Sequence, residues 1–160
     1  WYRIVGSEMC IRDRSIPSGL STADTHPISV EERRPWFRQF SPKKRPIWVA
    51  ERAGKIVGYI YITSFYGDRP AYDKTAEVSL YLAPKAQRQG LGTDLMQRMI
   101  DACPQLGVTT LIGMHFDHNE ATKRLNDRFG FQQVGYLQEI AEVHGKQRGL
   151  LLSILRISPQ

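Results

Sequence analysis

The chain is poor in cysteine: of 160 residues only Cys10 and Cys103 are cysteines, and their spacing fits neither a disulfide framework nor a metal finger. That argues against a stapled secreted scaffold and predicts free thiols in a reducing, cytoplasmic setting. Long apolar runs are missing too. No stretch approaches the roughly 18 consecutive apolar residues of a membrane helix. The first residues lack a charged start followed by an apolar core, so no secretory leader is expected. There is no internal repeat and no low-complexity tract. Basic residues are in excess, giving a net charge of +6, but they are scattered apart from "KKR" at Lys43 to Arg45. Without a basic stripe, no nucleic-acid partner is expected. His115 and His118 flank Asp117, yet no further ligand pair stands at metal spacing, so no metal site is expected. His144, in "EVHGKQRG", reads as a hairpin-turn residue.

What is present is ordinary for one globular domain: 41% apolar and 24% charged residues, in a chain long enough to bury a core. Residues 1–14, "WYRIVGSEMCIRDR", fit poorly with the rest of the chain. They hold no sustained hydrophobic pattern and no helix cap, and are expected to be a non-native or disordered segment before a domain at 15–160. A genuine variable arm is the alternative. From Ser15 the order is clear. "SIPSGLSTADTHPI" reads as loop. "SVEERRPWFRQF" opens with Ser29 and Glu32 in capping-box spacing, a helix start, with Trp36, Phe37 and Phe40 on a core face. "IWVAE" and "IVGYIYITSF", joined by "RAGK", predict a hairpin, and Thr75 to Ala83 a third strand. A helix is predicted from about Thr93 to Ala102, then a strand in "VTTLIGMHF" and a helix in "NEATKRLNDRF". Strands in "FQQVGYL" and "LLLSILRI" close the chain. The fold class is α/β (α+β): helices on a mixed, mostly antiparallel sheet.

The junction "QRQGLGTDLM" carries the strongest functional signal. Backbone N–H groups at a helix N-terminus lack intrahelical partners and sit at the positive end of the helix dipole. Glycines at Gly90 and Gly92 remove Cβ atoms that would hold a phosphate away, and Arg88 adds charge. Neither the Walker pattern nor the dinucleotide fingerprint is present. By itself a GxG turn between strand and helix is equally a plain turn.

The segment Gln87-Arg88-Gln89-Gly90-Leu91-Gly92 resembles the Gln/Arg-x-x-Gly-x-Gly/Ala signature of the GNAT N-acetyltransferases, and its context resembles theirs. "AEVSLYLAP" precedes it and "DHNEATKRLNDRFGF" comes after it. "SVEERRPWF" and "RPAYDKTAEVSLYLAP" are similar to the phosphinothricin acetyltransferase-like group, over about Ser15 to Ile157. The family's first strand and much of its first helix would fall on residues 1–14, so both are expected to be missing.

The resemblance implies acetyl-CoA as acetyl donor. It implies that the backbone of Leu80, Tyr81 and Leu82 pairs with the pantetheine arm and holds the oxyanion. Arg88, Gln89, Gly90, Leu91, Gly92 and Thr93 would take the pyrophosphate. Asn119 would reach the cofactor, or be a helix N-cap, or both. It implies Glu77 as general base, whose alternative is a salt-bridged strand residue. Asn126 stands where many members carry Tyr or His; it can hydrogen-bond the leaving sulfur but not act as an acid. Phe65, Tyr66 and Tyr72 would line an acceptor pocket, with Arg69 pairing a carboxylate; a packed strand end with a surface arginine is the competing account. Gly67 and Val78 replace residues common in the phosphinothricin-type pattern, so the acceptor is expected to be another small amine. A protein N-terminus or lysine as acceptor, and a non-catalytic acetyl-CoA-binding module, are the alternatives. Homodimers are common in the group, though no feature of this sequence requires one.

Overall fold

A computed structural model describes residues 10–67 and 69–157. Within them the elements run α1 (Val30–Phe37), β1 (Ile47–Arg52), β2 (Lys55–Ser64), β3 (Thr75–Leu82), α2 (Leu91–Ala102), β4 (Thr110–Phe116), α3 (Glu120–Arg128), β5 (Gln132–Val143) and β6 (Lys146–Arg156). The sheet order is β1-β2-β3-β4-β6-β5. Every neighbouring pair is antiparallel except β3 with β4, which is parallel.

Local chemistry sets most of these boundaries. Ala53 and Gly54 take φ of 47° and 74°, and His144 and Gly145 take 52° and 71°. Two successive left-handed residues are what a tight hairpin turn demands. At α1, the Ser29 side chain accepts the Glu32 N–H while Glu32 accepts the Ser29 N–H, a complete capping box. Strand alternation then sorts the faces. Ile60, Ile62, Ala76 and Val78 point to the side where α2 places Leu95, Met96, Met99 and Cys103. Tyr59, Tyr61 and Tyr81 point to the opposite side, under Ile11, Trp36 and Phe40. Trp36 meets Phe40 and Tyr61 edge-on at 4.7 and 5.1 Å between ring centroids, so this aromatic set is core, as its spacing predicts. Among the described residues no helix is long and apolar enough to cross a membrane.

Three features depart from the sequence expectations. Helix α2 starts at Leu91 rather than Thr93, which puts Gly92 inside its first turn. Strands β5 and β6 run on to meet at the His144–Gly145 turn. Their outer halves are polar and β5 carries a bulge between Leu137 and Ala141, so no apolar run marks them. Of residues 1–14, residues 1–9 lie outside the described residues, while 10–13 are helical. Ile11 and Arg12 are only 5% and 1% exposed, and Arg12 pairs with Asp24 at 3.3 Å. Apolar burial and this ion pair order the inner part of the segment; the first strand and first helix expected to be missing fall on the same stretch.

Candidate active site

The site begins where the parallel pair comes apart. β3 and β4 pair only from Thr75↔Thr110 to Val78↔Gly113. Beyond that β3 continues to Leu82 against β2, and β4 to Phe116 against β6, so a gap opens between them. Backbone direction alternates along a strand, and the hydrogen bonds at its two ends fix its phase. Ala83 N–H donates to the Val57 carbonyl at 2.9 Å, and the Thr75 carbonyl accepts from Phe65 N–H at 3.5 Å, so odd positions of β3 face β2. The Lys74 carbonyl accepts from Thr109 and Thr110 on the other side. Leu80 and Leu82 therefore aim their N–H groups into the gap, while the Tyr81 backbone faces β2. The Leu82 carbonyl, also on the gap side, accepts from Gln87 Nε2 at 3.3 Å.

The glycine loop stands at the end of this edge. Arg88 and Gly90 are both left-handed, with φ of 57° and 81°, and no side chain caps α2. The first helical bond is Asp94 N–H to the Gly90 carbonyl at 3.0 Å. Among the described residues, the N–H groups of residues 88–93 have no partner within the chain. Of these residues Arg88, Gly90, Gly92 and Thr93 line the cleft, and unpartnered donors at the positive end of a helix suit an anion. The two glycines serve the loop differently. A Cβ at Gly90 would meet nothing within 4 Å, so that glycine answers to its φ; a Cβ at Gly92 would lie 3.4 Å from both Leu80 Cδ2 and Leu82 Cδ1. Gly92 thus seats α2 on β3. Gln89 braces the loop by donating to the Lys85 carbonyl at 2.8 Å and accepting from Arg52 Nη1.

Gap and loop open into one cleft of about 590 Å³, which Ser18, Leu20, Ser21 and the start of α3 also line. Asn119 is 6% exposed. Its Oδ1 accepts the Thr122 N–H at 3.1 Å, making it the N-cap of α3, and its Nδ2 donates to the Leu20 carbonyl at 2.9 Å. Arg14, Arg88 and Arg124 all line the cleft, which suits an anionic ligand. Sequence reasoning missed Arg14, Arg124 and the Ser18–Ser21 wall. Arg124 could have been found five residues past the Asn119 cap, but nothing local marks the wall.

Other expected residues fall outside the cleft lining. Glu77 sits on the Tyr81 face of β3, about 10 Å along the strand from Leu80 at ~3.3 Å per residue, opposite Thr63 and Ile112. Burial raises its carboxyl pKa. Among the described residues no hydrogen bond or cation offsets that burial. Asn126 is 4% exposed and donates to Ser153 Oγ at 3.3 Å. Ser153 in turn donates to the Gly113 carbonyl at 3.1 Å. This holds Asn126 inside the fold, and the structure does not bring it to the cleft. Phe65, Tyr66 and Tyr72 do come together, with centroid distances of 5.6–6.0 Å, and Arg69 lies 4.9 Å over the Tyr66 ring. His115 turns Nδ1 to the Phe116 carbonyl at 2.9 Å.

The chain is similar in sequence and fold to known acetyltransferases. The acetyltransferase (GNAT) family profile matches residues 15–131. A Bacillus subtilis protein provisionally named a phosphinothricin acetyltransferase is 37% identical over 93% of this chain and 91% of its own length. The phosphinothricin N-acetyltransferase of Streptomyces coelicolor is 33% identical over 78% of this chain and 74% of its own. In fold, the chain matches the crystal structure of a GNAT superfamily phosphinothricin acetyltransferase from Sinorhizobium meliloti in complex with acetyl-CoA. That match has a TM-score of 0.88 at 24% identity, over 96% of this chain and 83% of that one.

Proposed function

Because the chain belongs to the acetyltransferase (GNAT) family, whose acetyl donor is acetyl-CoA, we propose that it acetylates the primary amine of a small amino-acid-like molecule by direct attack. The observation that carries this is the continuity between the unpartnered N–H groups of residues 88–93 and the open amide edge of β3. In this proposal the residue 88–93 donors and the cleft arginines hold the diphosphate. Leu82 N–H pairs with the amide-bearing arm, and Leu80 N–H donates to the thioester carbonyl oxygen. A preorganised donor of that kind contributes about 3–4 kcal/mol to an acyl-transfer barrier. Acetyl-CoA supplies an activated acyl group; the chain supplies its placement.

An amine arrives protonated and must lose a proton before attack. Glu77, whose burial lifts its carboxyl pKa towards the working pH, takes that proton through water. Asn126 is committed to Ser153, so the departing thiolate takes its proton from water. Arg69, beside the Phe65–Tyr66–Tyr72 set, pairs the acceptor's carboxylate. The relatives named for phosphinothricin, itself an amino acid, support that acceptor class. The test is an acetyl-CoA consumption screen of the full-length protein against amino acids, polyamines, methionine sulfoximine and phosphinothricin. Turnover confined to carboxylate-bearing amines, and weakened by Arg69→Ala, is expected. Binding of acetyl-CoA without turnover of any amine would overturn the proposal.

A further inference from the structure

Three side chains that the proposed chemistry does not use, or uses only in part, converge on one loop. His144 Nε2 lies 2.8 Å from the Ile16 carbonyl, His118 Nε2 3.0 Å from the Gly19 carbonyl, and Asn119 Nδ2 2.9 Å from the Leu20 carbonyl. A carbonyl oxygen only accepts, so both histidines donate from Nε2. The neighbouring Asp117 lies beside the His118 ring, its Oδ1 3.4 Å from His118 Nδ1, which has no hydrogen-bond partner among the described residues. Asp117 is fixed in turn, since its Oδ2 accepts from Tyr136 Oη and from Gly149 N–H, both at 3.0 Å. The fit is close: a Cβ at Gly19 would lie 2.7 Å from Val143 Cγ1 and 3.0 Å from His144 Cδ2. The three donors come from the β4–α3 connection and the β5–β6 turn. The carbonyls they hold belong to the segment whose Ser18, Leu20 and Ser21 line the same cleft as Gly90, Gly92 and Thr93.

We propose that His118, Asn119 and His144 form a three-point clamp that fixes residues 16–20 as a wall of the acetyl-CoA cleft. The histidines act as positioning residues for cofactor binding, through the loop and not by contact. The inference rests on the cleft being the acetyl-CoA site, but is independent of the acceptor amine. A free loop of this kind would have to be ordered each time the cofactor binds, and that cost appears as lost affinity. Each clamp bond has the net worth of a hydrogen bond, so its loss should weaken CoA binding about three- to tenfold.

The test is calorimetry with CoA, and steady-state kinetics in acetyl-CoA, on the wild type, His118→Ala, His144→Ala and His144→Gln. Both alanine variants should raise Kd for CoA and KM for acetyl-CoA together. At saturating acetyl-CoA, kcat should stay within about twofold. His144→Gln should recover the wild-type Kd, because glutamine also presents an N–H donor. Ala and Gln meet the same left-handed backbone at position 144, so their difference isolates the donor. Hydrogen exchange without CoA reads the loop directly: the residue 16–21 amides should exchange faster in both alanine variants than in the wild type. Unchanged Kd in the alanine variants, or exchange of those amides no faster than in the wild type, overturns the clamp. Failure of the wild type to bind CoA at all would instead overturn the cleft assignment.

Discussion

Replacing Gly90 and Gly92 separately by alanine tests how the anion cradle is built. At Gly90 the φ of 81° is left-handed and no atom lies within 4 Å of the added Cβ. The whole cost is therefore backbone strain, about 1–2 kcal/mol, or a fall in Tm of about 2–8 °C for a chain of this size. Relief of that strain would rotate the adjoining peptides and turn donors such as Leu91 N–H off the diphosphate. Loss of one hydrogen bond to a charged group, about 1.5–3 kcal/mol, weakens CoA binding about tenfold or more. At Gly92 the backbone is helical, and the new Cβ meets Leu80 Cδ2 and Leu82 Cδ1 at 3.4 Å. A helix gains about 1 kcal/mol when alanine replaces glycine, which offsets that tight contact. Gly92→Ala should melt within about 4 °C of wild type and keep most of its CoA affinity. Gly107, with φ of 71° and equally open space, is the control: Gly107→Ala should lose stability but not CoA binding. Thermal unfolding by circular dichroism and calorimetry with CoA give both readouts. If Gly90→Ala melts low yet binds CoA like wild type, or Gly92→Ala is the variant that loses CoA, the loop backbone does not form the cradle in this way.

Three further outcomes are expected. Glu77→Gln should lower turnover by about two to four orders of magnitude with CoA affinity kept. Burial raises the Glu77 pKa in the fold, so wild-type stability falls as pH rises from the ordinary carboxylate range to the raised folded value. The glutamine variant should therefore melt above wild type at neutral pH, and an equal or lower melting temperature there would show that the carboxylate is compensated. At Gly149 an added Cβ would sit 2.2 Å from Tyr136 Cε2, so Gly149→Ala must displace that ring and break its bond to Asp117, at a cost of about 1–3 kcal/mol in denaturant titration; a variant as stable as wild type would mean that Tyr136 moves freely. Cys10 is exposed, while Cys103 is buried and burial pushes its thiol up to about 11. A thiol reagent near pH 8 should thus label one cysteine in the native protein and two after denaturation; rapid labelling of both in the native state would refute the packing around α2.

Local chemistry made much of this fold legible. The capping box at Ser29, the turn glycines at Gly54 and Gly145 and the strand-to-helix glycine loop are each set by a few neighbouring residues, and each stands where the spacing puts it. What resisted reading depends on distant partners. The resemblance in sequence implies that Asn126 meets the leaving sulfur, but a Cβ at Gly113 would lie 3.0 Å from its Nδ2 and 3.2 Å from Ser153 Oγ. That glycine on β4 leaves room for the Asn126 amide to reach Ser153, so a residue 13 positions upstream of Asn126 and another 27 positions downstream of it direct its side chain.

The histidines make the same point from the other side. In sequence His118 is one of two histidines flanking an aspartate and His144 is a turn residue. Their partners lie 99 and 128 positions away, in a segment that reads only as loop. The gap between β3 and β4 is equally a matter of register: each strand alone looks complete, and only the end of their pairing at Val78 and Gly113 leaves the Leu80 and Leu82 amides open. A signature can therefore locate the glycine loop of such a cleft, while the wall at residues 16–20 is held by tertiary hydrogen bonds that no short motif encodes. Relatives that share the glycine loop but lack donors at positions 118 and 144 should differ from this chain in how tightly that wall is held, and hence in affinity for the donor before any difference in the acceptor is considered.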